Sequence, residues 1–267
     1  MAKQTGLVKY SGTLGGVRHF KIKGLQGDFA GLTGGPSADQ IYNDPAFQRT
    51  RENMSEFGGS ATAAKAIRVG LSNVIKQMSD PQVTGRLTAI MKEINLKDTT
   101  GIRGERSILI SQNRGDIEGF NFDKNISFTS VFNAPASTTI TPGRDSVTLN
   151  VPPFNPLNYI NAPAGATHFR LINAITVISD YAYNTSTGKY EPVDNSTNGL
   201  NDVQYSSYMD LSALTTLITL TSTFPGSPTL SSDVTGLLCV GIEFYQQVGS
   251  NYYLFASGNA LMIAGGF

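Results

Sequence analysis

Tryptophan is absent from this chain of 267 residues, cysteine occurs once and histidine twice. A single thiol, Cys239, excludes an internal disulfide. Its place in the apolar run Leu237-Leu238-Cys239-Val240 marks it as a small buried hydrophobe. The two histidines, His19 and His168, lie far apart in sequence. Together with one buried cysteine they do not make the three or four donors of a zinc centre, so each reads as a structural or surface side chain. Charge is scarce as well: Asp, Glu, Lys and Arg make up 15% of the chain, against about 25% in an ordinary soluble domain. Ser, Thr, Asn and Gly fill the gap, a bias toward strands and turns. A surface low in charge suits protein covered by its neighbours. A β-sandwich with uncharged polar loops accounts for the same composition.

No stretch reaches the roughly 20 apolar residues of a membrane helix, and no membrane span is expected. The opening Met1–Gly6 lacks the apolar segment of a secretory signal. The expected location on synthesis is therefore cytoplasmic, with non-classical export as the alternative.

The charge that is present is unevenly spread. Residues 1–119 carry 16 Lys and Arg against 11 Asp and Glu, a net +5, and residues 120–267 carry 4 against 9, a net −5. The basic excess is small and interleaved with acids, unlike the footprint of a nucleic-acid groove, so no nucleic-acid partner is expected. Attraction between the basic half of one subunit and the acidic half of the next is one reading. Two domains that merely differ in charge is the other.

Catalytic signatures are missing. There is no G-x-S-x-G elbow, and Gly58-Gly59-Ser60-Ala61-Thr62 reads as a helix cap. Gly31–Pro36 lacks the Lys-Ser/Thr that would complete a phosphate loop. Neither a dinucleotide-binding βαβ unit nor a calcium loop occurs. Glycoside hydrolysis needs only two acids at the right separation. Glu243 is the acid of interest, inside the apolar strand Val240–Tyr245. By alternation it shares a face with Gly241 and Tyr245, opposite Ile242 and Phe244. That places it on an outer face, toward solvent or a subunit contact. The reading is a protein without cofactor, metal or catalytic residues.

Turning to what is there, residues 1–42 are punctuated by glycine. Gly15-Gly16 is a two-residue hairpin signal. The segment after it alternates, with Val17, His19, Lys21 and Lys23 on one side and Arg18, Phe20 and Ile22 on the other. Beyond Gly24 and Gly27 comes a short strand containing Phe29. So small a hairpin cannot bury enough apolar surface to stand alone. It is the natural candidate for strand exchange between subunits.

Residues 43–119 read as a helical region with a transition strand at Ser107–Ile110. Asn43-Asp44-Pro45 starts a helix that stops at Gly58-Gly59, and Ser60 caps a second. Asp80-Pro81 starts a third. The stripes Ala64, Ile67, Leu71, Val74, Ile75, Met78 and Val83, Leu87, Ile90, Met91, Ile94 have helical period, and short turns predict a helical hairpin.

Residues 120–267 read as an antiparallel β-sandwich, Ig-like or jelly-roll-like. Strands are expected at 126–133, 138–141, 146–151, 167–178, 203–209, 215–222, 237–247, 251–256 and 260–264. Residues 184–202 read as a long exposed loop. The expected class is thus α+β. Tyrosines at 181, 183, 190, 205 and 208, and again at 245, 252 and 253, line either packing interfaces or a glycan platform, and the lack of tryptophan favours packing.

The segment Asn43–Gly58 (NDPAFQRTRENMSEFG), the opening Gly12–Gly16, Gly85–Thr88, Arg103–Arg106 and Pro163–His168 together resemble, in the same order, a family of Bacteroidota proteins to which no activity is assigned. The resemblance implies a bacterial protein without catalytic residues.

The expected function is a structural subunit whose partner is itself, as oligomer, filament, tube or phage-like particle. The alternative is a ligand- or glycan-binding sandwich. Residues 7–33 would form the exchanged arm, anchored by Phe20, Ile22 and Phe29. Arg49, Arg51 and Tyr245 would join the interface, unless Arg49, Arg51 and Glu52 make helix-to-sheet salt bridges.

Overall fold

The computed structural model describes residues 1–22 and 25–267, so Lys23 and Gly24 of the expected hairpin lie outside the described residues. The chain divides into two compact units, Met1–Arg51 and Glu52–Phe267. The fold is α+β, with antiparallel sheets and a β-sandwich in the larger unit. Among the described residues no helix is long and apolar enough to cross a membrane.

The small unit is a four-stranded antiparallel sheet of β1 (Ala2–Gln4), β2 (Gly12–Leu14), β3 (Val17–Phe20) and β4 (Asp28–Leu32), in the order β1-β4-β3-β2. Gly15 and Gly16 both take positive φ, +54° and +78°, the backbone that a two-residue turn between twisted strands requires. A short helix follows, α1 (Ala38–Asn43). Ser37 and Gln40 cap it reciprocally, each side chain taking the other's backbone N–H. Asp44 accepts from Ala46 N at 2.9 Å and opens the turn Pro45–Phe47.

The next helix, α2, runs unbroken over Gln48–Gly70. The expected stop at Gly58-Gly59 is therefore absent. These glycines lie in the helix interior, and Gly59 is there for close packing: a Cβ on it would fall 2.4 Å from the Tyr190 ring. Ser60 does not cap a new helix but donates to Glu56 O at 2.8 Å. The same device recurs at Gly70, where a Cβ would meet Thr176 Oγ1 at 2.0 Å. Two more helices, α3 (Ser72–Met78) and α4 (Val83–Lys97), complete the helical layer. The expected start at Asp80 is seen in a wider role. Its carboxylate accepts from Gln82 N (2.5 Å), Lys124 N (2.9 Å) and Arg86 Nη2 (2.6 Å), tying the start of α4 to a distant loop.

Helices and strands of this unit share one compact body rather than parting near residue 119. Its centre is a six-stranded sheet built on β7 (His168–Ser179) and β13 (Val234–Val248), paired over twelve residues. β10 (Asn201–Tyr205) and β11 (Met209–Asp210) flank β7, while β14 (Asn251–Leu254) and β15 (Ala260–Gly266) flank β13. One face takes Ile172, Ala174, Ile178, Leu237 and Cys239 against the helices. The other takes Phe169, Leu171, Ile175, Val177, Leu238 and Val240 against a second sheet. Both faces are covered, which is why β7 and β13 read as nearly continuous apolar runs rather than as alternation.

The second sheet has three strands, β5 (Ser137–Ile140), β6 (Ser146–Val151) and β12 (Ile218–Thr223), in the order β12-β6-β5. Asn173, fully buried, staples the sheets together by donating to Val147 O and Leu220 O, both at 2.9 Å. Residues 126–133, expected as a strand, instead hold a short helix, α5 (Phe128–Val131). Its Phe128 and Phe132 cap the core with Phe154, which precedes a second short helix, α6 (Pro156–Tyr159). Ser107–Ile110 contributes one bridge, Ile108 to Tyr181, and no strand. The expected loop 184–202 begins instead with a hairpin, β8 (Tyr181–Asn184) and β9 (Lys189–Pro192), which presents the buried Tyr190 to α2.

Candidate functional site

The small unit is the first candidate, because its chemistry is unfinished. Its register sets Phe20 beside Phe29, ring centroids 6.4 Å apart, with the Arg18 guanidinium 4.8 Å from the Phe20 ring. On the other face Leu14, Val17 and Leu32 form a cross-strand row. Asp28 takes Lys9 and Lys21 at 3.5 and 3.7 Å. These are surface pairs of small worth. No described residue of Met1–Arg51 is buried. The expected anchors Phe20, Ile22 and Phe29 are half-buried, and Leu7, Val8, Tyr10, Leu14, Leu25 and Leu32 are each more than half exposed.

Arg49 is exposed on the first turn of α2. Arg51 turns back onto its own unit, donating from Nη1 to Ile41 O (2.7 Å) and Asp44 O (2.9 Å). It is thus a clamp on the α1–α2 corner rather than an arm for a sheet. Glu52 pairs with Arg103 at 3.4 Å, a helix-to-loop contact.

The second candidate lies on the large sheet, on the face shared with the helices but at the end they leave bare. Tyr245 and Glu243 were expected at a surface, yet only 4% and 3% of each is exposed. Glu243 Oε2 accepts from Arg170 Nε and from the Tyr245 hydroxyl, both at 2.6 Å. The Arg170 guanidinium lies 4.0 Å from the Tyr205 ring. Tyr208 meets Tyr245 edge-on at 4.8 Å and stacks on Tyr252 at 4.1 Å and 5°. His168 meets Tyr252 at 5.0 Å. Burial and the hydrogen bond to Glu243 push the Tyr245 hydroxyl far up. Desolvation lowers the Arg170 guanidinium, but the hydrogen bond to Glu243 and the Glu243 charge, with smaller contributions from Tyr245 and Tyr208, together raise it. Glu243 Oε2 is thus held between the Arg170 guanidinium and the Tyr245 hydroxyl. Alternation groups Glu243 correctly with Tyr245, but the outer, solvent-facing placement expected for that face is overturned by its burial. What it missed is that Arg170 stands directly across in register, a pairing only the sheet topology supplies.

The helical layer holds a third polar cluster, around Glu56 and the 103–106 turn. Glu56, fully buried, accepts from Arg106 Nε (2.8 Å), Arg106 Nη2 (3.0 Å), Gly104 N (2.8 Å) and Lys92 Nζ. Burial alone would raise its carboxyl. The Arg106 bonds, Lys92 and Gly104 more than offset this and hold it at about 2. Every acceptor position is taken, so the cluster fastens the 103–106 turn to α2. Cys239 is wholly buried, and desolvation pushes its thiol far up, which leaves no thiolate nucleophile. His19 sits against Tyr10, ring centroids 5.7 Å apart. Among the described residues no three His, Cys, Asp or Glu side chains gather as metal ligands. No protein-family model, curated protein or solved structure matches the chain.

Proposed function

We propose that this chain is a non-enzymatic structural subunit that self-assembles through its N-terminal unit. One observation carries the reading: residues 1–51 form a sheet and a capped helix in which no described residue is buried. Leu7, Val8, Tyr10, Leu14, Leu25 and Leu32 are six of the large apolar side chains that stand more than half exposed there. Burying each is worth about 1.5–3 kcal/mol, so covering all six is worth roughly 9–18 kcal/mol. That is comparable to the cost of roughly 4–15 kcal/mol for associating two molecules. Charge favours the same partner. The small unit carries seven Lys and Arg against three Asp and Glu, a net +4, and the rest of the chain carries 13 against 17, a net −4.

The test is particle size. Full-length protein, by light scattering and negative-stain microscopy, forms regular oligomers or fibres. Removing residues 1–35 leaves a monomer with the far-ultraviolet spectrum of the large unit intact. An unchanged particle size after removal refutes the proposal.

A second reading rests on the stacked Tyr208–Tyr252 pair, with Tyr208 40% exposed: a sandwich that binds glycans on an aromatic edge. It requires that a monomer bind a glycan array and that Tyr208→Ala or Tyr252→Ala abolish the binding.

A further inference from the structure

We propose that the open margin of the β-sandwich is completed by a strand that a second copy donates from residues 6–11. This inference rests on the self-assembly reading and names its acceptor. At one margin the two sheets are tied together, where the Asp202 carboxylate on β10 accepts from Thr223 N on β12 at 3.0 Å. At the opposite margin they part. There β5 is the edge strand, paired among the described residues only with β6, and all four of its residues are exposed. Its register sets Thr138 beside Leu149 and Ile140 beside Val147. Leu149 and Val147 are buried, so Thr138 and Ile140 face inward, yet Ile140 is 41% exposed. An inward-facing isoleucine in that state lacks its neighbour.

What it faces is a groove of about 320 Å³ between β5 and the ends of β13 and β15. Leu238 and Val240 line one side, Ile140 and Leu149 the other, and Phe267 joins the lining. The register of β15 slips at Ala264, and a Cβ on Gly265 would meet nothing within 4 Å. An edge with free backbone groups beside an apolar groove is what an added strand fills: its main chain pairs with the edge and alternate side chains enter the groove.

The small unit supplies a matching segment. Residues 5–11 lie between β1 and β2 and belong to neither. They expose Leu7, Val8 and Tyr10. In an extended chain Val8 and Tyr10 share a face and enter the groove of a net acidic unit, while Lys9 stays outside. The net charges of +4 and −4 draw the two units of different copies together.

Cross-linking of full-length protein tests this. Cys239 is wholly buried and contributes no native background. Val8→Cys and Thr139→Cys chains, each singly substituted, are mixed and treated with a short bis-maleimide. The expected product is a covalent heterodimer, and the doubly substituted chain gives a ladder of multimers. A cross-link of monomer mass in the double variant, meaning that the arm fills its own groove, overturns the proposal, as does the absence of any cross-link. Ile140→Asp, at an already accessible position, raises the concentration at half-assembly at least tenfold with an unchanged circular-dichroism spectrum. If Ile140→Asp leaves assembly unchanged while removal of residues 1–35 abolishes it, the acceptor groove is wrong and self-assembly through the arm stands. If neither change affects assembly, both are wrong.

Discussion

Replacing Glu56 by Gln removes one negative charge from the interior while keeping the side chain's shape. The carboxyl is held at about 2 from an ordinary 4.5, which corresponds to about 3 kcal/mol of stability at neutral pH. The substitution also strands Arg106 and Lys92, whose side chains are 18% and 22% exposed. Breaking a buried pair from one side costs about 3–5 kcal/mol, and partial solvation of both cations points to the lower figure. Because the folded value lies below the unfolded one, the contribution is fully present above pH 4.5 and disappears as pH falls through about 2. The gap between parent and Glu56→Gln is therefore about 3 kcal/mol at pH 7 and falls to about 1.4 kcal/mol at pH 3. Urea unfolding followed by circular dichroism at both pH values measures it. A gap below about 1 kcal/mol at pH 7, or one that does not narrow in acid, refutes the assignment of Glu56 as a charged fastener.

Two other substitutions test the packing and the electrostatics. Gly70→Ala forces a methyl onto Thr176, so the helix-propensity gain of about 1 kcal/mol reverses into a loss of about 2 kcal/mol. Gly58→Ala, where a Cβ meets nothing within 4 Å, raises the melting temperature, and equal behaviour of the two glycines would contradict the close-approach account. Asp180 is the converse of Glu56. Burial raises its carboxyl above the ordinary 3.8 despite bonds from Ser111 N and Oγ, and the Asp233 charge adds to the rise. Keeping it ionised therefore costs stability as pH climbs past the unfolded value. Asp180→Asn is expected to be neutral or stabilising at pH 7, and a loss above about 1 kcal/mol in denaturant unfolding would contradict that sign.

The sequence carried the features whose cause is local. Gly15-Gly16 gave its turn because only glycine takes two positive φ values in succession cheaply. The stripe Leu87, Met91, Ile94 lies on the buried face of α4 because spacing alone fixes it. Gly58-Gly59 misled because a glycine pair reads as an end until Tyr190, over a hundred residues away, is seen lying against it. Residues 126–133 read as a strand from their aromatic and β-branched content, but Asn121 Oδ1 accepts from Phe128 N and helps begin a helical turn there. The unburied state of the small unit was legible from its length. The groove was not, since it belongs to β5, β13 and β15 together. Nor was the fate of Tyr245, whose hydroxyl is consumed by a glutamate that Arg170 holds from the neighbouring strand.

The helical layer owes its cover to strands far downstream. Ala63, Ile67, Leu87 and Ile94 meet Ile172, Leu237 and Ile263, which lie between about 80 and 200 residues further along. Such separations place folding toward the slow end of single-domain behaviour. They also impose an order in time. At about 5–20 residues per second of synthesis, the apolar helical face waits on the order of ten seconds for its covering sheet. The N-terminal segment leaves the ribosome earlier still, before the edge and groove of its own chain exist. On the strand-donation proposal, the first complete acceptor that this segment meets is a neighbour that has already folded, so growth by addition to finished subunits follows from chain order alone.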